Sequence, residues 1–244
     1  VKWNNLIRRR RNNSAPEHVE NVGNFYNQNH DAFIKVYGEV IQAFRTNNLD
    51  NILNSQIDSI GLKDGQRVLD AGCGVCGPAR YFAKKTGCTI DAVSISETQV
   101  EVSKQFIQNE ELQDKIAVHL HDYHSVDKLF PKEKFDKVYF LESFGHSNQK
   151  EKLLKAIWTV LKPGGEVYIK DLFKRISNNW FVQRKIDSEI AKINNAYYYD
   201  VADLNEFINL VRKIGYVIVF IKTIDIPLED FENLSISNEF QELT

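Results

Sequence analysis

A chain of 244 residues suits one domain with an elaborated active site, or at most one and a half domains. Its net charge of -2, with 26% charged and 43% hydrophobic residues, describes an ordinary globular chain and gives no overall pull toward nucleic acid or an anionic membrane. Three cysteines, an odd number, exclude a disulfide framework and make a reducing cytoplasm the simplest setting; no apolar run approaches the roughly 18 residues of a spanning helix, and no signal-peptide pattern opens the chain.

In chain order, the first 17 residues are polar and basic, with Arg8 to Arg11 consecutive. They read as a solvated tail or as an arm closing over an anionic substrate group. Residues 18 to 57 place Phe33, Val36, Tyr37, Val40, Ile41 and Phe44 at helical spacing, so 1–57 is expected to form a basic tail and a helical cover. Residues 58–244 are then the main domain. From residue 66, RVLDA, TIDAVSI, KIAVHLH, FDKVYFL and GEVYIKD alternate with helical segments such as ETQVEVSKQFIQNE and QKEKLLKAIWTVLK. That alternation predicts a mostly parallel sheet with helices on both faces, its ligand beyond the carboxyl ends of the strands. LKPGGE at 161–166 stops a helix and turns into the next strand. Residues 172–200, with Trp180 and Tyr197 to Tyr199, break the alternation and are expected to cover the site. GYVIVFIKTID at 215–225 is one more predicted strand. No methionine occurs, not even at position 1, so the chain reads as a fragment or as one with methionines left out, some spacings then being a residue short.

VLDAGCGVCGPAR at 68–80 carries two overlapping patterns, C-x-x-C and G-x-G-x-x-G. The glycine pattern follows a predicted strand and opens a predicted helix, the context that makes a nucleotide turn believable. Asp70 chooses the nucleotide. A carboxylate at that strand end repels a pyrophosphate, whereas it attracts a ligand bearing an ammonium, as S-adenosylmethionine does. An aspartate that merely caps the next helix is the structural alternative. The cysteines are incidental: Cys73 occupies a variable position where the backbone meets the ligand, and a Cys73–Cys76 disulfide distorts the turn.

VLDAGCG resembles the first motif of class I S-adenosylmethionine-dependent methyltransferases. The longer stretch, with SISETQ at 94–99, is similar to the sterol and tocopherol C-methyltransferase and cyclopropane fatty acid synthase branch. LKPGG and HDYH at 121–124 fit the same family, and FYNQNHDAF at 25–33 partly matches its cofactor-covering tyrosine segment, aligning Tyr26, Asp31 and Phe33. The resemblance implies a Rossmann-like doubly wound sheet of seven, or six, strands, closed by an antiparallel strand beside the fifth. No such strand is evident before Thr244 unless 232–240 supplies an irregular substitute. It also implies S-adenosylmethionine held by Tyr26, Asp70, Gly72, Cys73, Gly74, Gly77, Ser94, Ile95, Ser96, Gln99, Asp122, Tyr123, Leu141 and Glu142. Ser94 stands where many relatives have a ribose-gripping acid, which shifts that task to Gln99 and the backbone around Ile95, while Asp91 lies too early in its strand.

LESFGH places Glu142 and His146 four residues apart, on one face if a helical turn starts there. Glu142 is the expected carboxylate that stabilises a cation and takes its proton, with His146 as relay. A capping glutamate and a satisfied core histidine are the structural alternative. His119, His121 and His124 invite a metal, but nothing nearby completes a ligand set, so no metal is expected. The expected function is methylation of a small hydrophobic metabolite (an isoprenoid, lipid or aromatic natural product), carbon preferred over oxygen or nitrogen. A protein that binds the cofactor without methyl transfer, as a scaffold or ring-closure catalyst, is the alternative from another class. Expected partners are the small-molecule substrate alone, with no nucleic acid and no membrane span; the oligomeric state, a homodimer included, is left open.

Overall fold

The computed structural model describes residues 14–43 and 48–223. The basic run Arg8 to Arg11, Phe44 and the stretch 232–240, named as an irregular substitute for the closing strand, lie outside them. Three helices come first: α1 (Ala15–Gln28), α2 (His30–Tyr37) and α3 (Leu49–Ile60). Then β1 (Arg67–Ala71), α4 (Gly77–Thr86), β2 (Thr89–Ser94), α5 (Glu97–Asn109) and β3 (Ile116–Leu120) run outward to one edge. A short α6 (Val126–Leu129) returns the chain to β4 (Phe135–Leu141), α7 (Lys150–Val160) and β5 (Leu161–Lys170). The order is β3-β2-β1-β4-β5, every pair parallel. The switch in strand order therefore falls between β1 and β4, at Ala71 and Leu141.

Both faces are covered, as a parallel sheet requires. Along β4, Val138 and Phe140 join one core with Leu153, Leu154 and Ile157 of α7. Tyr139 and Leu141, on the other face, join Phe82 of α4 and Leu53 of α3. The two-residue period thus divides one apolar strand between two cores. A third, aromatic cluster sets Phe33 and Tyr37 against Phe25, Tyr26, Ile41 and Tyr197, bringing the amino-terminal helices together with the carboxyl end of α8 (Trp180–Tyr197). A two-stranded parallel pair, β6 (Phe173–Lys174) with β7 (Ala202–Asp203), brackets α8, and α9 (Leu204–Ile214) follows.

Three expectations change. The sheet has five strands among the described residues, against the seven or six expected. Within the predicted strand at 215–225, residues 216–219 alternate, Tyr216 and Ile218 packed on the core and Val217 and Val219 exposed, while Phe220 and Ile221 are both exposed; the Phe220 ring lies 6.4 Å from Tyr168 of β5. The segment 215–223 forms no ladder with β5, so the side chains of 216–219 obey the strand pattern while the backbone does not. LKPGGE is also not a simple turn: Leu161 already pairs with Phe135, and the register then jumps to Lys137 opposite Glu166, with Gly164 at φ 77° in between. Finally, the expected boundary at 57/58 falls inside α3, which runs on to Gly61, whose left-handed φ of 71° ends the helix.

Candidate active site

A cleft of about 90 Å³ opens at the carboxyl ends of β1, β2 and β4, where the strand order switches. Every expected site residue lines it except Gly77. Gly77 is needed for packing instead: a Cβ there would lie 1.9 Å from the Glu39 carbonyl oxygen, so the segment after α2 rests directly on the start of α4. Gly72 has φ 92°, and a Cβ on it would meet Ser143 at 2.5 Å, so the glycine turn is pressed against the end of β4. Cys76 also has a left-handed backbone, φ 58°, and Cys73, Cys76 and Cys88 are buried free thiols.

Asp70 ends β1 beneath this turn, 3% exposed, and no ion pair among the described residues includes it. Burial raises its carboxyl to about 7; the neighbouring Tyr139 phenol, itself buried with no partner in bonding geometry, offsets this only in part. On the β2 side, Ser94 Oγ donates to Gln99 Oε1 at 3.1 Å, and Ser96 caps α5 by accepting from the Gln99 amide at 3.2 Å. Asn27 of α1 accepts from Ser96 Oγ at 2.7 Å, tying the cover to this wall. Asp91 faces elsewhere, bound to His119 at 3.0 Å and Lys134 at 2.6 Å.

Asp122 Oδ1 lies 2.7 Å from His124 Nδ1, and His124 Nε2 lies 2.7 Å from Ser147 Oγ. Burial works against the Asp122 carboxylate, but its bonds to His124 outweigh it and hold it below the usual range. Ser147 is fully buried, so this aspartate–histidine–serine chain orients Asp122 and presents no nucleophile. His121 bonds the Ser125 carbonyl at 3.0 Å, so the three histidines serve separate partners, and no metal-holding cluster occurs among the described residues.

Glu142 and His146 do not share a helical face. Glu142 has φ 60°, and a 3-10 turn covers only Phe144–His146. The two side chains part. Glu142 Oε1 pairs with Lys170 Nζ of β5, and Oε2 accepts from the Ala43 amide at 2.7 Å. Lys170, 5% exposed, also donates to Gln42 Oε1 at 2.7 Å, and Gln42 accepts from Gln56 at 2.8 Å. The segment 39–43 is thereby fastened over the glycine turn, its other end held by Glu39 paired with buried Arg80. His146 Nε2 meets Tyr26 Oη at 2.8 Å, and its ring lies 4.2 Å from that of Tyr199. Burial pushes His146 down to about 3, which keeps it neutral; Nδ1 has no partner in bonding geometry among the described residues, the Tyr197 and Tyr198 backbone approaching only loosely. Burial first, then the charges of Asp171 and Glu142, pushes the Tyr26 phenol up. Asp171 accepts from the Gly145 amide at 2.8 Å, and enclosure of its carboxyl raises it to about 7.

Sequence reasoning missed Asn27, Glu39, Gln42 and Lys170, since nothing in their local patterns marks them. His124 and Ser143 lie within the quoted HDYH and LESFGH, His124 weighed there only as a metal ligand and Ser143 not singled out.

The chain matches the description "Mycolic acid cyclopropane synthetase" across residues 19–214. It belongs to that family. It is 35% identical over 147 residues to the sterol 24-C-methyltransferase ERG6 of Saccharomyces cerevisiae, covering 58% of this chain and 38% of that enzyme. The chain spans less than half the length of the curated relatives it matches. In fold it is similar to geranyl diphosphate C-methyltransferase from Streptomyces coelicolor A3(2), with TM-score 0.73, 14% identity and coverage of 94% and 93% of the two chains. It is similar also to the [4+2]-cyclase SpnF, with TM-score 0.71, 18% identity and coverage of 92% and 81%.

Proposed function

We propose that this family member is an S-adenosylmethionine-dependent methyltransferase that methylates a carbon of a small, hydrophobic substrate. The observation that carries the reading is Asp70, a buried carboxylate that lines the cleft under a glycine turn and has no cationic partner among the described residues. Keeping it there is costly unless a cation arrives, and a helix or sheet core has no use for it.

The remaining residues fit that cofactor. Asp70 suits its ammonium, and Asp122, oriented by His124, suits its adenine edge. Ser94, Ser96 and Gln99 offer hydroxyl and amide groups to the ribose. S-adenosylmethionine, when bound, supplies a methyl group carried on a sulfonium. The chain aligns the substrate and excludes water, with Ile41, Gln42 and Tyr26 among the lining cover residues. When one alkene carbon takes the methyl group its neighbour becomes cationic, and a proton must leave a C–H bond beside that cation. The role expected of Glu142 passes to Tyr26 and His146, because Lys170 and Ala43 already hold both Glu142 oxygens. His146 Nε2, neutral and bonded to the Tyr26 hydroxyl, accepts the proton through that hydroxyl. Its low basicity suffices, since C–H bonds beside a carbocation are very acidic.

The family match and the sterol C-methyltransferase relative support carbon as the acceptor. The likeness to a [4+2]-cyclase keeps ring closure as the second reading, since the same fold houses it. Methyl-labelled cofactor incubated with the full chain and a host lipid and metabolite extract tests both. Label in a nonpolar small molecule is the expected outcome. A substrate consumed without label and without change of mass points to ring closure, and label in no small molecule sinks the main reading.

A further inference from the structure

The long helix α8 buries none of its 18 residues fully, and its two ends differ. Ile186, Ile190, Ile193 and Tyr197 are half-buried toward the body of the protein. At the amino-terminal tip, Trp180 is 62% exposed, Phe181 76% and Val182 47%, with Ile176 of the preceding loop at 60%. Four large apolar side chains so close in sequence and so exposed make a patch, and such patches mark interaction sites. The surrounding charge is one-sided. Residues 174 to 192 hold five basic side chains against two acidic ones, in a chain whose net charge is -2. Asp187 pairs with Lys174 and Glu189 with Lys192. No ion pair among the described residues engages Arg175, Arg184 or Lys185.

From this arrangement we infer that the tip of α8 docks on an anionic phospholipid bilayer. Arg184 and Lys185 follow Trp180 and Phe181 by four residues, so each cation stands about one turn, roughly 5.4 Å, along the axis from its aromatic ring. The Arg184 guanidinium lies over the Trp180 ring at 5.4 Å. With the tip inserted, the rings reach the acyl boundary while the cations remain at the depth of the lipid phosphates. Exposed Ile176 and Val182 fit acyl chains and have no flat face on which a nucleobase stacks. The global charge of the chain does not predict this contact; the local excess does.

The inference is independent of methyl transfer, and the full chain without cofactor tests it. Vesicles of phosphatidylcholine alone are compared with an equal mixture of phosphatidylcholine and phosphatidylglycerol, by co-flotation and by tryptophan emission. Partition at least about tenfold stronger into the mixed vesicles is expected, weakening with salt, with a blue shift absent from W180F. R184Q/K185Q is expected to weaken partition roughly thirtyfold, at about fivefold for each basic residue removed. W180S/F181S should weaken it by about tenfold or more while the thermal midpoint stays put, because both side chains are exposed. Equal partition into neutral vesicles, or none into either, overturns the inference. So does a dimer in solution that W180S/F181S dissolves, which assigns the patch to a second copy. Tighter binding to poly-uridine than to mixed vesicles overturns it in favour of nucleic acid.

Discussion

The two halves of the cleft hold buried carboxylates in opposite conditions. Asp70, near the end of β1, is enclosed with no ion-pair partner among the described residues and is pushed up to about 7. Glu142, at the end of neighbouring β4, has one oxygen on the Lys170 ammonium and the other on the Ala43 amide. Both lie at the switch in strand order, and both stood out in the sequence as candidate functional acids. The difference between them is whether the fold already supplies the countercharge. A satisfied carboxylate fastens structure; an unsatisfied one is kept for something that arrives from outside.

Breaking the satisfied pair is expected to have the largest effect. Lys170→Met leaves Glu142 buried without its cation and removes a donor from Gln42, a loss of about 3–5 kcal/mol. At about 2–4 °C per kcal/mol for a chain of this size, scanning calorimetry should show the midpoint fall by roughly 10 °C. Adding Glu142→Leu to Lys170→Met should restore most of it, since an apolar pair of similar volume avoids the desolvated charge. If Lys170→Met alone melts with the parent protein, the pair does not fasten the 39–43 segment and the contrast with Asp70 collapses.

Asp70→Asn should behave in the opposite way, losing ligand and gaining fold. Because its folded value of about 7 exceeds the unfolded 3.8, Asp70 contributes stability that is full below about 3.8 and lost as pH rises through about 7. At pH 8 the ligand-free Asn variant is therefore more stable than the parent. Its affinity for S-adenosylmethionine should drop roughly 10- to 100-fold, from about 1.5–3 kcal/mol for hydrogen bonds to a charged group. In the parent, calorimetric affinity should climb with pH toward about 7, by up to about tenfold per unit, and then level off. The variant should show no such climb. An unchanged dissociation constant in Asp70→Asn removes the observation on which the functional reading rests.

This contrast was half legible in the sequence. Asp70 was readable because its meaning lies in its local frame, a strand end two residues ahead of a glycine turn, and local frames are what motifs record. Four strand cores and the carboxyl half of the fifth were legible for the same reason: β-branched runs of the right length between helical repeats. The pairing of Glu142 was not legible because its partners are 28 residues downstream and 99 residues upstream, and no periodicity links Lys170 or Ala43 to it. The helical turn that would have set Glu142 and His146 on one face does not form, on backbone grounds. Glu142 takes φ 60°, the 3-10 turn starts only at Phe144, and Tyr199 packs so close that a Cβ on Gly145 would lie 2.2 Å from its ring. At 216–219 the side chains alternate as in the strand expected there, but a strand also needs hydrogen bonds with a neighbour, which one segment cannot announce.

The smallest change tests whether the second half of the cleft is chemistry or only packing. Tyr26→Phe removes one hydroxyl, leaving His146 Nε2 without its 2.8 Å partner and the aromatic cluster otherwise in place. The loss in stability should be about 0.5–1.5 kcal/mol, and turnover should fall by up to about tenfold while the dissociation constant for cofactor holds. pH separates the two causes. His146 is held near 3 against 6.5 unfolded, so its contribution is present above about 6.5 and is lost as pH falls through about 3. A purely structural role for Tyr26 predicts that calorimetry shows a changed acid limb in the variant while turnover at pH 8 matches the parent. A role in proton transfer predicts lower turnover at pH 8, where His146 is neutral in both proteins and only the path to it has changed.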